Sequence, residues 1–98
     1  MSLGFVIRPE AEADMAEAKG WYDARRLGLG DEFLLCAEET FDRIRRMPRS
    51  YAVVYKRVRI ALIRRFPYLV CFRITRQAIE VLAVPRGERD WGVWKRRV

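Results

Sequence analysis

Between Arg57 and Val84 the chain reads RVRIALIRRFPYLVCFRITRQAIEV followed by LAV, and this stretch leaves few options for the fold. Val58, Ile60 and Leu62 alternate with Arg57, Arg59, Ala61 and Ile63, a period of two that belongs to a strand and not to a helix. The run stops at Phe66-Pro67, because proline removes a ladder donor. Leu69 to Thr75 forms a second strand, with Val70, Phe72 and Ile74 on one face and Leu69, Cys71 and Arg73 on the other. Arg76, Gln77 and Ala78 make a turn, and Ile79 to Val84 gives a third strand before Pro85. Connections this short join antiparallel neighbours, so the stretch is expected to be a meander. Apolar and cationic residues are interleaved along it, so the same segment must build a core and present a positive surface.

Upstream, Phe5-Val6-Ile7 is a short strand that runs into Pro9, whose fixed φ suits the first position of a helix. From Pro9 to about Arg26, Ala11, Met15, Ala18 and Tyr22 recur at helical spacing beside Trp21. Glu10, Glu12 and Asp14 lie at the positive end of this helix and Lys19, Arg25 and Arg26 towards the negative end. Gly20 weakens its middle by about 1 kcal/mol relative to alanine and marks a candidate bend. Leu27-Gly28-Leu29-Gly30 is too short to allow anything but an antiparallel second helix. Asp31 is the expected N-cap, Phe33, Ala37, Phe41, Ile44 and Met47 the apolar stripe widened by Leu34, and Pro48 the stop. Arg43, Arg45 and Arg46 suit the negative end of this helix. Pro48 to Lys56 reads as a loop leading into strand.

The expected fold is therefore α+β: a two-layer β-α-α-β-β-β domain, 1–98, with an N-terminal edge strand and a helical hairpin on one face of an antiparallel meander. Arginines are expected on the opposite face, bordered by a basic C-terminal tail, about 86–98, that contains Trp91 and Trp94.

A chain of 98 residues makes one domain, burying roughly 60% of its unfolded surface. No apolar run approaches the roughly 18 residues of a membrane span, and no secretion signal opens the chain, so a cytoplasmic protein without a membrane partner is expected. Cys36 and Cys71 sit in apolar patterns and read as buried, reduced thiols. The absence of histidine and of a paired-cysteine motif argues against a zinc site, and no metal or cofactor is expected. The net charge of +7 is unevenly divided. Residues 1–54 hold 8 Lys/Arg and 10 Asp/Glu, residues 55–98 hold 12 and 3, so the halves carry −2 and +9. A cationic half of this kind favours a polyanionic partner, either nucleic acid or an acidic protein segment.

Four segments in a set order carry a resemblance. Ile7-Arg8-Pro9-Glu10-Ala11-Glu12, Gly28-Leu29-Gly30-Asp31-Glu32-Phe33, Arg64-Arg65-Phe66-Pro67-Tyr68, and Arg86-Gly87-Glu88-Arg89-Asp90 with Trp94 together resemble the RelE/ParE toxins of bacterial type II toxin–antitoxin modules, over nearly the whole chain. The resemblance implies a compact toxin of the plasmid-stabilisation type, held in a heteromeric complex by a cognate acidic antitoxin whose C-terminal segment wraps it. RelE-like members cleave mRNA in the ribosome; ParE-like members poison DNA gyrase.

A ribonuclease needs a base for the ribose 2′-OH, an acid for the leaving oxygen and cations for the phosphorane. Nuclease members commonly carry an arginine just before the second meander strand, where this chain has Tyr68, and a histidine is frequent where it has Arg86. Both departures favour the ParE-like branch, a binder that inhibits gyrase without bond-making of its own. On the nuclease alternative, Arg59, Arg65, Tyr68, Arg86 and Arg89 are the candidate residues. Target and antitoxin binding is expected of Arg59, Arg64, Arg65, Arg73, Arg89, Trp91 and Trp94, since tryptophan and arginine are favoured interface anchors. A third alternative is an inactive homologue that only binds its antitoxin.

Overall fold

The structure is a computed structural model and describes residues 3–87 and 91–97. Strand β1 (Gly4–Ile7) leads through Arg8 into helix α1 (Pro9–Arg25), with Pro9 in its first turn as its fixed φ requires. Ala11, Ala18 and Tyr22 form its buried face. The helix runs through Gly20 without a break. Gly28, at φ +87°, turns the chain into helix α2 (Leu29–Arg46), which buries Gly30, Phe33, Ala37, Thr40, Phe41 and Ile44.

The start of α2 differs from expectation. The helix begins two residues before Asp31, and one of its first-turn N–H groups is met from the neighbouring helix: Gly30 N donates to Asp23 Oδ1 at 2.7 Å. Lys19 Nζ donates to the other oxygen of Asp23 at 2.7 Å. The two helices approach so closely here that a Cβ on Gly30 would lie 2.5 Å from Lys19 O, which explains the glycine. At the far end Met47 leaves the apolar stripe and is 65% exposed, because the backbone has already departed from helix at φ −142°, ψ 65°.

A 3₁₀ turn (Pro48–Ser50) precedes β2 (Val53–Tyr55), β3 (Val58–Leu62), β4 (Leu69–Ile74) and β5 (Ala78–Ala83), and helix α3 (Trp91–Lys95) follows. The segment expected as a loop thus holds a short strand of its own. The sheet order is β1-β5-β4-β3-β2. Strand β1 is at an edge, as expected, but it pairs in parallel with β5, from Gly4 opposite Ala78 to Ile7 opposite Val81, so the sheet is mixed and not purely antiparallel. Side-chain alternation reports faces; strand direction depends on the partner, which lies over seventy residues away.

The main core lies between the helical hairpin and one sheet face, centred on Phe33, Phe41, Ile44, Val70, Phe72 and Val81. The other face was expected to be an arginine surface. It carries instead a second, smaller apolar cluster of Val58, Cys71, Leu82, Ala83 and Trp94, with Tyr55 and Ile60 against it. A bulge makes room for this cluster: Cys71 pairs with Ala83 and Phe72 with Val81, which leaves Leu82 as the extra residue. Both cysteines are free, Cys36 only half-buried. Burial pushes the Cys71 thiol up to about 12.

Candidate functional site

The sheet arginines divide between faces. Arg59 pairs with Phe72 on the side of the helices, and its Nη1 donates to Tyr51 O at 2.6 Å and Arg49 O at 3.3 Å, tying the segment after α2 onto β3. Arg73 lies on the opposite face, where its Nε donates to Glu80 Oε1 at 2.7 Å; Arg8 reaches the second oxygen of Glu80 at 3.8 Å. These two arginines do not share a site.

Three other candidates gather at the end where α1 finishes, α2 begins and the β3–β4 turn folds over. In that turn Arg65 adopts φ +71° and its Nη2 lies 3.1 Å from Glu32 Oε1, while Arg26 holds the other oxygen of Glu32 at 2.8 Å. Hydrogen bonding from Arg65, then from Arg26, keeps the Glu32 carboxyl below the ordinary glutamate range. Arg64 lies 3.4 Å from Glu39. Beneath the turn Tyr68 is 9% exposed, its ring 5.0 Å from Phe33 and 6.0 Å from Tyr22. Phe66 completes the aromatic group at 4.9 Å from Tyr22. Burial raises the Tyr22 phenol, and the charge of Arg86 opposes that rise.

Arg86 also approaches Trp21, with Cζ 5.0 Å from the ring centroid, and Arg25 lies over the same ring at 3.5 Å. Trp21 is 38% exposed, so this end presents an indole face flanked by two guanidinium groups. Arg65, Tyr68 and Arg86 are thus brought to one end of the molecule. Arg59 and Arg73 lie elsewhere, and Arg89 falls outside the described residues. Trp91 opens α3, but its side chain also lies outside the description. Trp94 is 1% exposed, with its ring 5.9 Å from Tyr55, so it fastens α3 to the sheet.

Sequence reasoning had placed Trp21 only beside a helical stripe and Asp14 only among the acids at a helix N-terminus. Asp14 in fact anchors the C-terminal segment. Its Oδ2 accepts from Val84 N at 2.9 Å and from Arg97 Nη1 at 2.7 Å, and its Oδ1 from Arg97 Nη2 at 3.1 Å. No local signal marks a pair separated by 83 positions.

Chemically, the Trp21–Arg86 end is suited to binding. Two of its groups are displaced away from neutrality, Tyr22 upwards by burial and Glu32 downwards by hydrogen bonds from Arg65 and Arg26, so that Glu32 is already engaged by two guanidinium groups. Among the described residues no group of three or more His, Cys, Asp or Glu is placed to hold a metal ion. Nor is any described helix long and apolar enough to cross a membrane.

The fold class is shared with a solved chain titled "Chromosomal ParDE TA system from P. aeruginosa", at a TM-score of 0.80 over 89% of this chain and 98% of that one, with 18% identity. A likeness at that identity defines the architecture alone. The family described as "ParE toxin of type II toxin-antitoxin system, parDE" matches residues 5–91. The relatives named Toxin ParE2 from Mycobacterium tuberculosis, strains CDC 1551 / Oshkosh and ATCC 25618 / H37Rv, are each 34% identical over 88 residues, covering 89% of this chain and 84% of theirs. The chain therefore belongs to the ParE toxin family of type II toxin–antitoxin systems.

Proposed function

We propose that this toxin inhibits DNA gyrase by binding and not by catalysis, and that a cognate acidic antitoxin neutralises it in a heteromeric complex. The observation that carries the reading is the exposed Trp21 flanked by Arg25 and Arg86. Tryptophan and arginine supply the largest share of interface energy when they are desolvated together. Nuclease chemistry has less support, since Tyr68 is packed in the aromatic group and Arg59 is engaged with backbone carbonyls.

On this reading Trp21, Arg25, Arg65 and Arg86 meet the target, while Arg64 and Arg73 add charge complementarity for the antitoxin. Acidic antitoxin groups would compete with Glu39 and Glu80 for these two arginines. Arg89, Trp91 and Trp94 belong to the same proposal only through the C-terminal segment. Purified toxin is expected to block gyrase supercoiling or trap cleaved DNA at micromolar concentration. Trp21→Ala, with unchanged circular dichroism, is expected to weaken inhibition by about tenfold or more. Normal supercoiling in the presence of excess toxin, together with ribosome-dependent mRNA cleavage, would instead establish the RelE-like alternative.

A further inference from the structure

A second cationic surface lies away from the Trp21 end, at the β2 edge of the sheet. From Arg43 to Ile79 the chain contains no Asp or Glu but eleven Lys/Arg residues. The fold brings part of that excess together around a concavity of about 440 Å³ lined by Arg49, Lys56, Arg57, Arg59 and Arg76, with Val53, Ile74 and Thr75 completing the wall. Among the described residues no carboxylate lines it. Arg49, Lys56, Arg57 and Arg76 are exposed. Among the described residues, Arg49, Arg57 and Arg76 have no carboxylate within salt-bridge distance, in contrast to Arg64, Arg65 and Arg73.

Two further features point to a ligand. Lys56, at the tip of the β2–β3 hairpin, adopts φ +51°, a conformation that hairpins normally give to glycine or asparagine. A cation is held there against the backbone preference of a side chain with a Cβ. Arg59 then braces the rim, its guanidinium bonded to the carbonyls of Arg49 and Tyr51, so the concavity is built around a fixed member. The wall has no exposed aromatic side chain and no large apolar pocket. A peptide would find no seat for an anchoring side chain, and bases would find no stacking platform. Recognition by charge alone fits a ligand with regularly spaced anions.

We infer that this β2-edge concavity binds the phosphodiester backbone of nucleic acid without reading its sequence, through Arg49, Lys56, Arg57 and Arg76. The inference is independent of the gyrase reading, since none of these residues belongs to the Trp21 surface. Phosphate contacts of this kind release condensed counterions, so affinity falls linearly on a log–log plot against salt, with a slope of about −0.9 per contact for duplex DNA and about −0.7 for single strands.

The test is fluorescence anisotropy of the full-length toxin with labelled duplex DNA of about 20 base pairs, single-stranded RNA of equal length and a polyglutamate peptide, across about 50–200 mM salt. Arg49→Ala/Arg57→Ala/Arg76→Ala is expected to lose tenfold or more in nucleic-acid affinity and to flatten the salt slope by about two units for single strands and nearly three for duplex DNA. Arg8→Ala/Arg45→Ala/Arg96→Ala removes the same charge outside both the concavity and the Trp21 surface and is expected to retain affinity within about threefold. The relative affinities for duplex and single strand identify which nucleic acid is the better source of phosphates. The inference is overturned if neither nucleic acid binds at the lowest salt, if both triple variants lose affinity equally, or if polyglutamate binds as tightly as the nucleic acids.

Discussion

At the scale of single residues, two glycines show why position outweighs residue type. Gly20 lies on an exposed part of α1, and a Cβ added there would meet nothing within 4 Å. Gly20→Ala is therefore expected to stabilise the protein by about 1 kcal/mol. Gly30 sits where the helices touch, and the same substitution would drive a methyl group into Lys19 O and the Asp23 carboxylate. Gly30→Ala is expected to destabilise by about 2 kcal/mol. Urea denaturation of both variants measures this; equal effects would mean that the helical hairpin is not held at Gly30. Only half of this contrast was legible in the sequence. Both glycines could be read as helix-weakening or turn-forming, but the contact with α1 that makes Gly30 indispensable is tertiary. The same limit explains Asp31 and Asp23: a local reading found a capping acid in the right place, whereas the acid that bonds the α2 backbone comes from the preceding helix.

At the scale of elements, the periodicities at 3.6 and at two residues identified α1, α2 and the three long strands, because each buries one face against a common core. They could not identify the parallel pairing of β1 with β5 or the three-residue β2, whose order depends on β3. The ion pairs that supplement the aromatic join between the helical hairpin and the β3–β4 turn were not legible at all. Glu32 holds Arg26 and Arg65, and Asp23 holds Lys19 and the α2 backbone. Both carboxyls titrate below their ordinary ranges, Glu32 chiefly through Arg65 and Asp23 chiefly through Lys19. Groups with lowered folded-state values bind protons more readily when unfolded. Their contribution is thus complete above the ordinary carboxylate range and is lost as the pH falls through the lowered values. Stability is expected to be flat near neutrality from these two groups and to drop below about pH 4. In urea titrations from neutral to acidic pH, Glu32→Gln and Asp23→Asn should each show a shallower acid decline than the wild type. An unchanged decline would assign acid sensitivity to other carboxylates.

At the scale of the whole molecule, the sheet separates two apolar clusters of unequal size, and the smaller depends on the end of the chain. Trp94 closes it from α3, a helix too short to be stable on its own. The sequence favoured an interface role for Trp91 and Trp94 because a basic segment carrying tryptophans resembles an interface as much as a lid. Beyond α3, Asp14 takes a bidentate bond from Arg97 and a third from Val84 N, so that α1, the end of β5 and the C-terminal segment meet at one carboxylate. Asp14→Ala removes all three bonds and leaves the Arg97 guanidinium, with its side chain only 24% exposed, with no carboxylate and only the longer bond to Leu82 O at 3.4 Å. The expected loss is about 2–3 kcal/mol. Arg97→Ala retains the bond to Val84 N and is expected to lose about 1 kcal/mol less. If the two residues act as one anchor, the double variant loses less than the sum of the single ones, and a cycle of urea denaturations reads the coupling directly. Additive losses would mean that Trp94 burial alone holds α3 and that Asp14 serves only the β5 backbone. Since none of Trp21, Arg25, Arg49, Lys56, Arg57 and Arg76 takes part in this anchor, the proposed gyrase inhibition and the inferred nucleic-acid binding, if present in the wild type, should survive any loss confined to it.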